Sequence, residues 1–140
     1  MTTVRQWFKA QGWTPQTFQK DCWKAYGEGK NGMLHAPTGS GKTFALWGGI
    51  LQEALKTKKH PVGIQALWIT PLRALAVEIQ QATQRMTSEL NPDLNIALRT
   101  GDTSQSERAK QKRKPSFGLV TTPESLHVLL STKDHPKSFQ

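Results

Sequence analysis

The segment that most constrains the fold of this chain is residues 35–43, which read HAPTGSGKT. From Ala36 to Thr43 they follow the pattern G-x-x-x-x-G-K-[S/T], with alanine in place of the first glycine. In such loops the glycines let the backbone approach phosphate oxygens, the lysine adds a positive charge and the hydroxyl residue binds Mg²⁺. The pattern predicts a site for a nucleoside triphosphate and Mg²⁺, formed by Thr38, Gly39, Ser40, Gly41, Lys42 and Thr43.

The sequence on both sides of this phosphate loop (residues 36–43) supports the same interpretation. Residues 32–36 are mostly apolar and predict a short buried strand, and the apolar spacing from Phe44 to Lys56 predicts a helix. The N-terminus of that helix would point its backbone N–H groups at a bound anion. The alternative is a glycine-rich turn that contains lysine and threonine by coincidence, and the order of strand, loop and helix argues against it.

The charge of the chain predicts a polyanionic partner. Nineteen Lys and Arg residues against ten Asp and Glu residues give a formal net charge of +9. Nucleic acid is the commonest partner of such a surface, and a basic surface that is merely solvated is the alternative. With 140 residues, the chain is long enough for one domain with a core.

Cysteine content and hydropathy predict a soluble protein of a reducing compartment. Cys22 is the only cysteine, which excludes an intramolecular disulfide and a zinc site with several cysteines. The four histidines, His35, His60, His127 and His135, lack the spacing of metal ligands. No apolar run is long enough to span a membrane, and the N-terminus lacks the apolar block of a secretory signal. We therefore expect a cytoplasmic location without membrane contact.

Strand and helix patterns alternate along the rest of the chain. Further strands are predicted at residues 64–70, 94–98 and 117–121. Helices are predicted at residues 4–11, 15–27, 44–56, 72–90, from the cap at Ser104 or Ser106 through 109, and 123–130, before a polar tail at 131–140. This alternation is typical of an α/β fold with a mostly parallel sheet and right-handed crossovers.

Caps and apolar spacing predict how two of these helices begin and which faces they bury. In the second helix, Thr14 is expected as the N-cap and Pro15 as the first residue. Its apolar stripe is expected to consist of Phe18, Cys22 and Tyr26. The buried face of the helix at 72–90 is expected to consist of Leu75, Ile79, Ala82 and Met86.

The segments with chemical character follow the predicted strands. The phosphate loop follows the first strand, and residues 71–73, 100–102 and 122–124 follow the other three. Parallel α/β sheets bind ligands at the carboxyl ends of their strands. All four segments are therefore expected at one edge of the sheet, where they would form one functional region.

The order of these segments resembles the first RecA-like domain of superfamily 2 helicases. Gln19 is similar to the Q motif, residues 36–43 to motif I, residues 70–76 to motif Ia and residues 122–126 to motif Ib. Residues 100–102 resemble the glycine-bearing loop that lies between motifs Ia and Ib in that superfamily. The resemblance implies a P-loop NTPase with a RecA-like parallel sheet flanked by helices.

Three phrases narrow the resemblance to the large helicase-related (Lhr) family, and most of all to its ligase-associated DEXH-box branch in bacterial DNA repair. They are LHAPTG at 34–39, RTGDTS at 99–104 and TTPESLHVLL at 121–130. The acidic D-E-x-H strand of the family does not occur in this sequence. The resemblance therefore implies that residues 1–140 are the N-terminal part of RecA-like domain 1 of a longer enzyme, without motif II and the second RecA-like domain. We expect the chain alone to bind ATP weakly at most and not to hydrolyse it efficiently.

The resemblance also implies roles for individual residues in an ATP-dependent DNA helicase that moves 3′ to 5′. Lys42 and Thr43 would be catalytic residues at ATP and Mg²⁺, Gln19 would read the adenine, and a tryptophan near the N-terminus could stack on it. Phosphates of a single strand would be contacted by Pro71, Arg73, Thr100, Gly101, Thr122 and Pro123. A DNA ligase and a nuclease of the same pathway are the implied protein partners.

Each implied role has a plainer alternative. Gln19 could be an exposed helix glutamine, Arg73 a helix N-terminal charge and Asp102 a residue that shapes a turn. Glu124 fits a helix start better than catalysis, and the basic run at 108–114 fits a solvated surface as well as a contact with DNA. The alternative functions are an RNA helicase, another P-loop enzyme such as a kinase or a non-translocating ATPase, and a module that binds through its charge alone.

Overall fold

The computed structural model describes residues 2–131, so the predicted tail from residue 132 on lies outside the described residues. The chain divides into two compact units. The first comprises Met1–His60 and Glu89–Asn91, and the second comprises Pro61–Ser88 and the described residues from Pro92 on. No helix within the described part of the chain is long and apolar enough to cross a membrane.

The first unit is built from helices around the phosphate loop. They are α1 (Val4–Ala10), α2 (Thr17–Gly27) and α3 (Lys42–Leu55). The predicted bounds of α1 and α3 agree with these to within two residues. The predicted start of α2 at Thr14 and Pro15 is wrong, because Gln16 is the N-cap. The helix begins there because the side chain of Gln19 accepts a hydrogen bond of 2.8 Å from the Gln16 backbone N–H, which would otherwise be unpaired.

The buried face of α2 is not the predicted apolar stripe. Gln19 and Trp23 are buried, whereas Phe18 and Cys22 are only half-buried and Tyr26 is 45% exposed. The reason lies in α3, on which α2 packs. The indole of Trp23 occupies the space where a Cβ at Gly48 would lie, and its Nε1 donates a hydrogen bond of 2.9 Å to the Phe44 carbonyl. The glycine of the neighbouring helix therefore decides which side chain is buried.

The second unit contains a parallel three-stranded sheet in the order β1-β3-β2, which confirms the predicted fold class. Its elements are β1 (Ala66–Ile69), α4 (Arg73–Leu90), β2 (Ile96–Arg99), α5 (Gln105–Arg113), β3 (Gly118–Thr121) and α6 (Pro123–Leu130). The register pairs the last residues of all three strands, since Thr121 lies opposite both Ile69 and Arg99. The three segments after these strands therefore begin at one level along one edge, whereas the phosphate loop, predicted at the same edge, does not follow a strand of the described sheet.

The predicted strand before the phosphate loop is absent from the described structure. Residues 32–36 are neither helix nor strand, and Met33 is 95% exposed. The three strands that do form pair only with one another. An extended segment becomes a strand only when a neighbour satisfies its backbone N–H and C=O groups, and residues 32–36 have no such neighbour in the described sheet.

The buried face of α4 differs from the predicted one: two predicted apolar residues are not buried, and two threonines are. Ile79 and Met86 are buried as predicted, but Leu75 is 40% exposed and Ala82 is half-buried. The buried face consists of Ala76, Ile79, Thr83, Met86, Thr87 and Leu90. The two threonines are tolerated there because their hydroxyls donate hydrogen bonds of 2.7 Å and 2.6 Å to carbonyls one turn earlier in the helix.

The packing of Trp23 against α3 predicts the effect of a methyl group at Gly48. Gly48→Ala would place Cβ 2.7 Å from Cε2 of the indole, and overpacking of this kind costs about 1–3 kcal/mol. Alanine favours the helix by only about 1 kcal/mol over glycine. We expect urea denaturation to show a lower free energy of unfolding for Gly48→Ala. Gly32→Ala is the control, since no atom lies within 4 Å of its added Cβ; equal stability of the two variants would contradict the packing argument.

Candidate functional site

The phosphate loop has the backbone shape that its two glycines permit. Gly39 and Gly41 have φ angles of +78° and +95°, a region that residues with a Cβ rarely adopt. Between them, the backbone N–H of Ser40 donates a hydrogen bond of 3.2 Å to the Pro37 carbonyl and closes the turn. The chain then enters α3 directly at Lys42, so the loop delivers the N-terminus of a helix to the site.

Lys42 and Thr43 are the first two residues of α3, as the motif requires. The first turn of α3 carries no acidic residue, and no carboxylate forms an ion pair with Lys42 anywhere in residues 2–131. Free backbone N–H groups, the positive end of the helix dipole and an unneutralised lysine together favour an anion at this position. The loop therefore fits the phosphates of a nucleotide, and the Thr43 hydroxyl is placed where the motif supplies a ligand for Mg²⁺.

Gln19 is brought to the phosphate loop and is not an exposed helix residue. Its side chain is 4% exposed, and its Nε2 donates a hydrogen bond of 3.1 Å to the Gly41 carbonyl. Its Oε1 accepts the hydrogen bond from the Gln16 backbone N–H, while the Gln16 side chain donates to the Ser40 carbonyl at 3.3 Å. One amide group therefore links the start of α2 to the start of α3. Its position is that of a residue that supports the loop.

A cavity of about 320 Å³ lies beside this linkage. It is lined by Phe8, Trp13, Thr14, Gln16, Gln19, Gly39, Ser40, Gly41 and Phe44. Trp13 is 44% exposed, and its ring centroid lies 5.7 Å from that of Phe44 and 5.9 Å from that of Phe8. Aromatic walls with a few polar groups fit a planar ring such as a nucleobase. The sequence indicated a tryptophan near the N-terminus but not the participation of Phe8, Phe44 and Gln16, which become neighbours only through folding.

The second unit carries the other predicted site residues on what we name the strand-end rim, residues 70–73, 100–103 and 122–124. Thr100 and Thr122, both predicted to contact a strand, are buried and hydrogen-bonded within the protein. The Thr100 hydroxyl accepts a hydrogen bond of 3.1 Å from the Asp102 N–H, and the Thr122 hydroxyl donates to Ser125 at 3.0 Å. Pro71, Gly101 and Pro123, also predicted, are exposed on this rim.

Arg73 and Asp102 form an ion pair across the strand-end rim. Their Nη1 and Oδ1 atoms are 3.0 Å apart, and both side chains are exposed. The guanidinium lies against Gly101, in the space that a Cβ there would occupy. Asp102 therefore does more than shape a turn, because it holds the residue that was predicted to contact phosphate.

Glu124 belongs to the same electrostatic environment. Its pKa is held below the usual range by the N–H of its own backbone, then by the Thr122 hydroxyl, and least by the positive charge of Arg73. These are the interactions of an ionised carboxylate in the first turn of α6. They agree with the helix-start interpretation of Glu124.

Two arginines near the strand-end rim have surroundings that the sequence did not indicate. Arg99 is 8% exposed, and burial, followed by the positive charge of Arg108, lowers its pKa. Its Nε has no hydrogen-bond partner within the described residues. Arg108 donates hydrogen bonds to the Thr103 and Thr100 carbonyls at 3.2 Å and 3.0 Å, so it braces this loop and is not part of a merely solvated run. Local spacing gave no signal for the burial of Arg99 or for the contacts of Arg108, which had been predicted only as the first residue of a basic run.

Comparisons with known proteins identify relatives of this chain. The family model of the DEAD/DEAH box helicase matches residues 16–140. The Lhr helicase/probable uracil glycosylase of Mycolicibacterium smegmatis is 34% identical over 141 aligned positions, which cover 92% of this chain and 9% of the relative. The ATP-dependent helicase Lhr-Core of Sulfolobus acidocaldarius is 36% identical over 136 positions, which cover 91% of this chain and 16% of the relative.

A solved structure has the same fold. The structure of Mycobacterium smegmatis helicase Lhr bound to ssDNA and AMP-PNP superimposes with a TM-score of 0.78 at 29% identity, over 97% of this chain and 18% of that chain. This match confirms the predicted RecA-like helicase fold. The chain spans less than a fifth of the length of each of these three proteins.

The double hydrogen bonding of Gln19 predicts a structural effect of its removal. Gln19→Ala would remove two partly buried hydrogen bonds, to the Gly41 carbonyl and from the Gln16 N–H, and one such bond contributes about 0.5–1.5 kcal/mol. We expect the free energy of unfolding, measured by urea denaturation, to fall by an amount of this order. Lys20→Ala, at an exposed position in the same helix, is the matched control. Equal stability of the two variants would show that the linkage does not support the loop.

Proposed function

The chain belongs to the DEAD/DEAH box helicase family, and we propose that it forms the ATP-binding and nucleic-acid-binding part of an ATP-dependent DNA helicase of the Lhr type. In this proposal residues 1–140 are the N-terminal part of the first RecA-like domain. The observation that carries it is the phosphate loop, in which an unneutralised lysine at the start of a helix lies beside an aromatic cavity. The DNA-repair role, with a ligase and a nuclease as partners, rests on the sequence phrases shared with the ligase-associated branch.

ATP would be held at both ends by residues of the first unit. The backbone of the phosphate loop and Lys42 would bind the phosphates, and Thr43 would bind the Mg²⁺ that accompanies them. The cavity beside Gln19 would take the adenine, with Trp13 as the exposed ring available for stacking. Bound Mg²⁺ would neutralise charge that develops on the phosphates during hydrolysis.

A nucleic-acid strand would be bound at the strand-end rim of the second unit. Exposed Pro71, Gly101 and Pro123 and the guanidinium of Arg73 are the groups available there. Contacts of this kind go to phosphate and sugar and do not distinguish bases, so little sequence preference is expected. The buried hydroxyls of Thr100 and Thr122 would hold the loops in place.

Hydrolysis needs groups that this sequence does not contain. Phosphoryl transfer depends on neutralised charge and on a positioned water molecule. The D-E-x-H sequence, whose carboxylates would hold Mg²⁺ and prepare that water in the family, does not occur in the chain. We therefore expect residues 1–140 on their own to show no appreciable turnover of ATP, and we propose the activity for the intact protein.

Replacement of Lys42 tests the nucleotide site. Lys42→Ala in the intact protein removes a charge-assisted contact worth about 1.5–3 kcal/mol, so the affinity for a fluorescent ATP analogue should fall roughly 10- to 100-fold. Lys56→Ala is the matched control, because Lys56 lies next to the other end of α3 and pairs with Glu53. A Lys42→Ala variant that binds nucleotide as tightly as the control would contradict the phosphate-loop assignment.

Stimulation of ATP hydrolysis tests the helicase function. The intact protein should hydrolyse ATP faster when a single-stranded oligonucleotide is added, and the affinity for the strand should fall steeply with salt because counterions are released. Equal stimulation by RNA and DNA, or a preference for RNA, would favour an RNA helicase. Phosphate transfer to a small acceptor without stimulation by nucleic acid would favour a kinase and contradict the proposal.

A further inference from the structure

The guanidinium of Arg73 is already occupied by an acid of the strand-end rim. Its Nη1 lies 3.0 Å from Oδ1 of Asp102, in the turn after β2, and its plane covers Gly101. Gly101 is one of the backbone positions open to a strand, so Arg73 also covers part of the surface that a strand would touch. In this conformation the exposed guanidinium of Arg73 is neutralised by Asp102 and folded over the backbone at Gly101.

The surroundings of Arg73 show that this pairing is specific to Asp102. Arg73, Asp102, Glu107 and Lys110 all line one groove of about 770 Å³. Glu107 forms no ion pair with Arg73 within the described residues. Asp102 and Glu107 therefore share the groove, and Glu124 lies within range of the charge of Arg73, but of these three carboxylates only Asp102 forms an ion pair with the arginine within the described residues.

We propose that Asp102 is a built-in competitor of phosphate for Arg73 and thereby sets the affinity of the strand-end rim for nucleic acid. This inference rests on the proposed function, in which Arg73 contacts a phosphate of the strand. The carboxylate accepts a hydrogen bond from Nη1 of the guanidinium, which a phosphate would otherwise accept, and its charge repels an approaching phosphate. Strand binding is then an exchange, in which Arg73 leaves Asp102 and uncovers Gly101.

The weakness of an exposed ion pair makes such an exchange possible. Pairs of this kind contribute little stability, because water and salt screen both charges. Arginine binds phosphate through two parallel hydrogen bonds, which is a stronger contact. A protein that moves along a strand must release each phosphate as well as bind it, and a local competing acid makes the release easier.

Salt dependence distinguishes this exchange from a purely structural contact. Each phosphate neutralised on a single strand releases counterions and contributes about −0.7 to the slope of log K against log salt. In the exchange, Arg73 starts out neutralised by Asp102, so its phosphate contact adds less than this full amount. Removal of the Asp102 charge should restore the full contribution of the Arg73 contact to the slope.

The test compares Asp102→Asn with Glu107→Gln in the intact protein, with a fluorescent single-stranded oligothymidylate as the probe and a series of salt concentrations. Both variants lose one negative charge from the same groove. We expect Asp102→Asn to bind the probe about 3- to 10-fold more tightly and with a slope steeper by up to about 0.7. Glu107→Gln should change the affinity less than about 2-fold and leave the slope unchanged. In an Arg73→Ala background, Asp102→Asn should behave like Glu107→Gln.

The possible results separate this inference from the proposed function. If the Arg73→Ala variant binds the probe as tightly as the unmodified protein, then Arg73 does not contact phosphate, and both that part of the proposed function and this inference are wrong. If Arg73→Ala weakens binding but Asp102→Asn and Glu107→Gln have the same affinity and the same salt slope, then the inference is wrong and the phosphate contact of Arg73 stands. Weaker binding by Asp102→Asn also overturns the inference, because Asp102 would then position Arg73 for phosphate. Thermal unfolding of every variant shows whether each one is folded. If Asp102→Asn is unstable, Asp102→Ser takes its place in the same comparison.

Discussion

The hydrogen bond between the Gln19 amide and the Gly41 carbonyl is the contact on which the shape of the phosphate loop, the proposed nucleotide site, depends. Gly41 has a left-handed conformation, and its carbonyl is turned toward α2, where the amide meets it at 3.1 Å. The same amide closes the first turn of α2 through the Gln16 N–H. Because one side chain serves both helices, the shape of the phosphate loop and the placement of α2 are a single hydrogen-bonded arrangement. The aromatic cavity lies beside it, since Phe8, Trp13 and Phe44 gather where the two helices begin.

The strand-end rim depends on the register of the parallel sheet. The three strands end at the same level, so the loops that follow them emerge side by side. Hydroxyl groups fix the end of β2 and the loop that follows it: Thr121 donates a hydrogen bond of 2.7 Å to the Arg99 carbonyl, and Thr103 accepts one of 2.9 Å from the Thr100 N–H. Arg108 adds two further hydrogen bonds to the same loop. The loop after β2 is therefore hydrogen-bonded at several points, and the exposed guanidinium of Arg73 lies against its Gly101.

The positive charge of the chain is divided among cations with different environments, and net charge alone does not distinguish them. Lys42 faces the loop without an acidic partner in the described structure, which favours a tightly held anion. Arg73 is exposed but paired with Asp102, which favours a contact that exchanges. Arg99 is buried with its pKa lowered, and Arg108 binds carbonyls of its own chain, so neither is simply a surface charge. The half-buried, unpaired Lys42 and the exposed, paired Arg73 are therefore two different kinds of cation among the described residues.

The sequence by itself determined the phosphate loop, the parallel α/β order and the residues that follow each strand, because these follow from local spacing and from glycines that no other residue replaces. Only the tertiary structure decided which faces are buried and which groups are paired. Trp23 replaces the predicted stripe of α2 because Gly48 of α3 accepts its indole, and residues 32–36 do not form a strand because no described neighbour pairs with them. Periodicity leaves Gln19 and Asp102 as ordinary polar residues, and although the family resemblance singles out Gln19, only the fold shows that these side chains meet Gly41 and Arg73. Such pairings join residues more than twenty positions apart, and local periodicity holds no information about contacts over that distance.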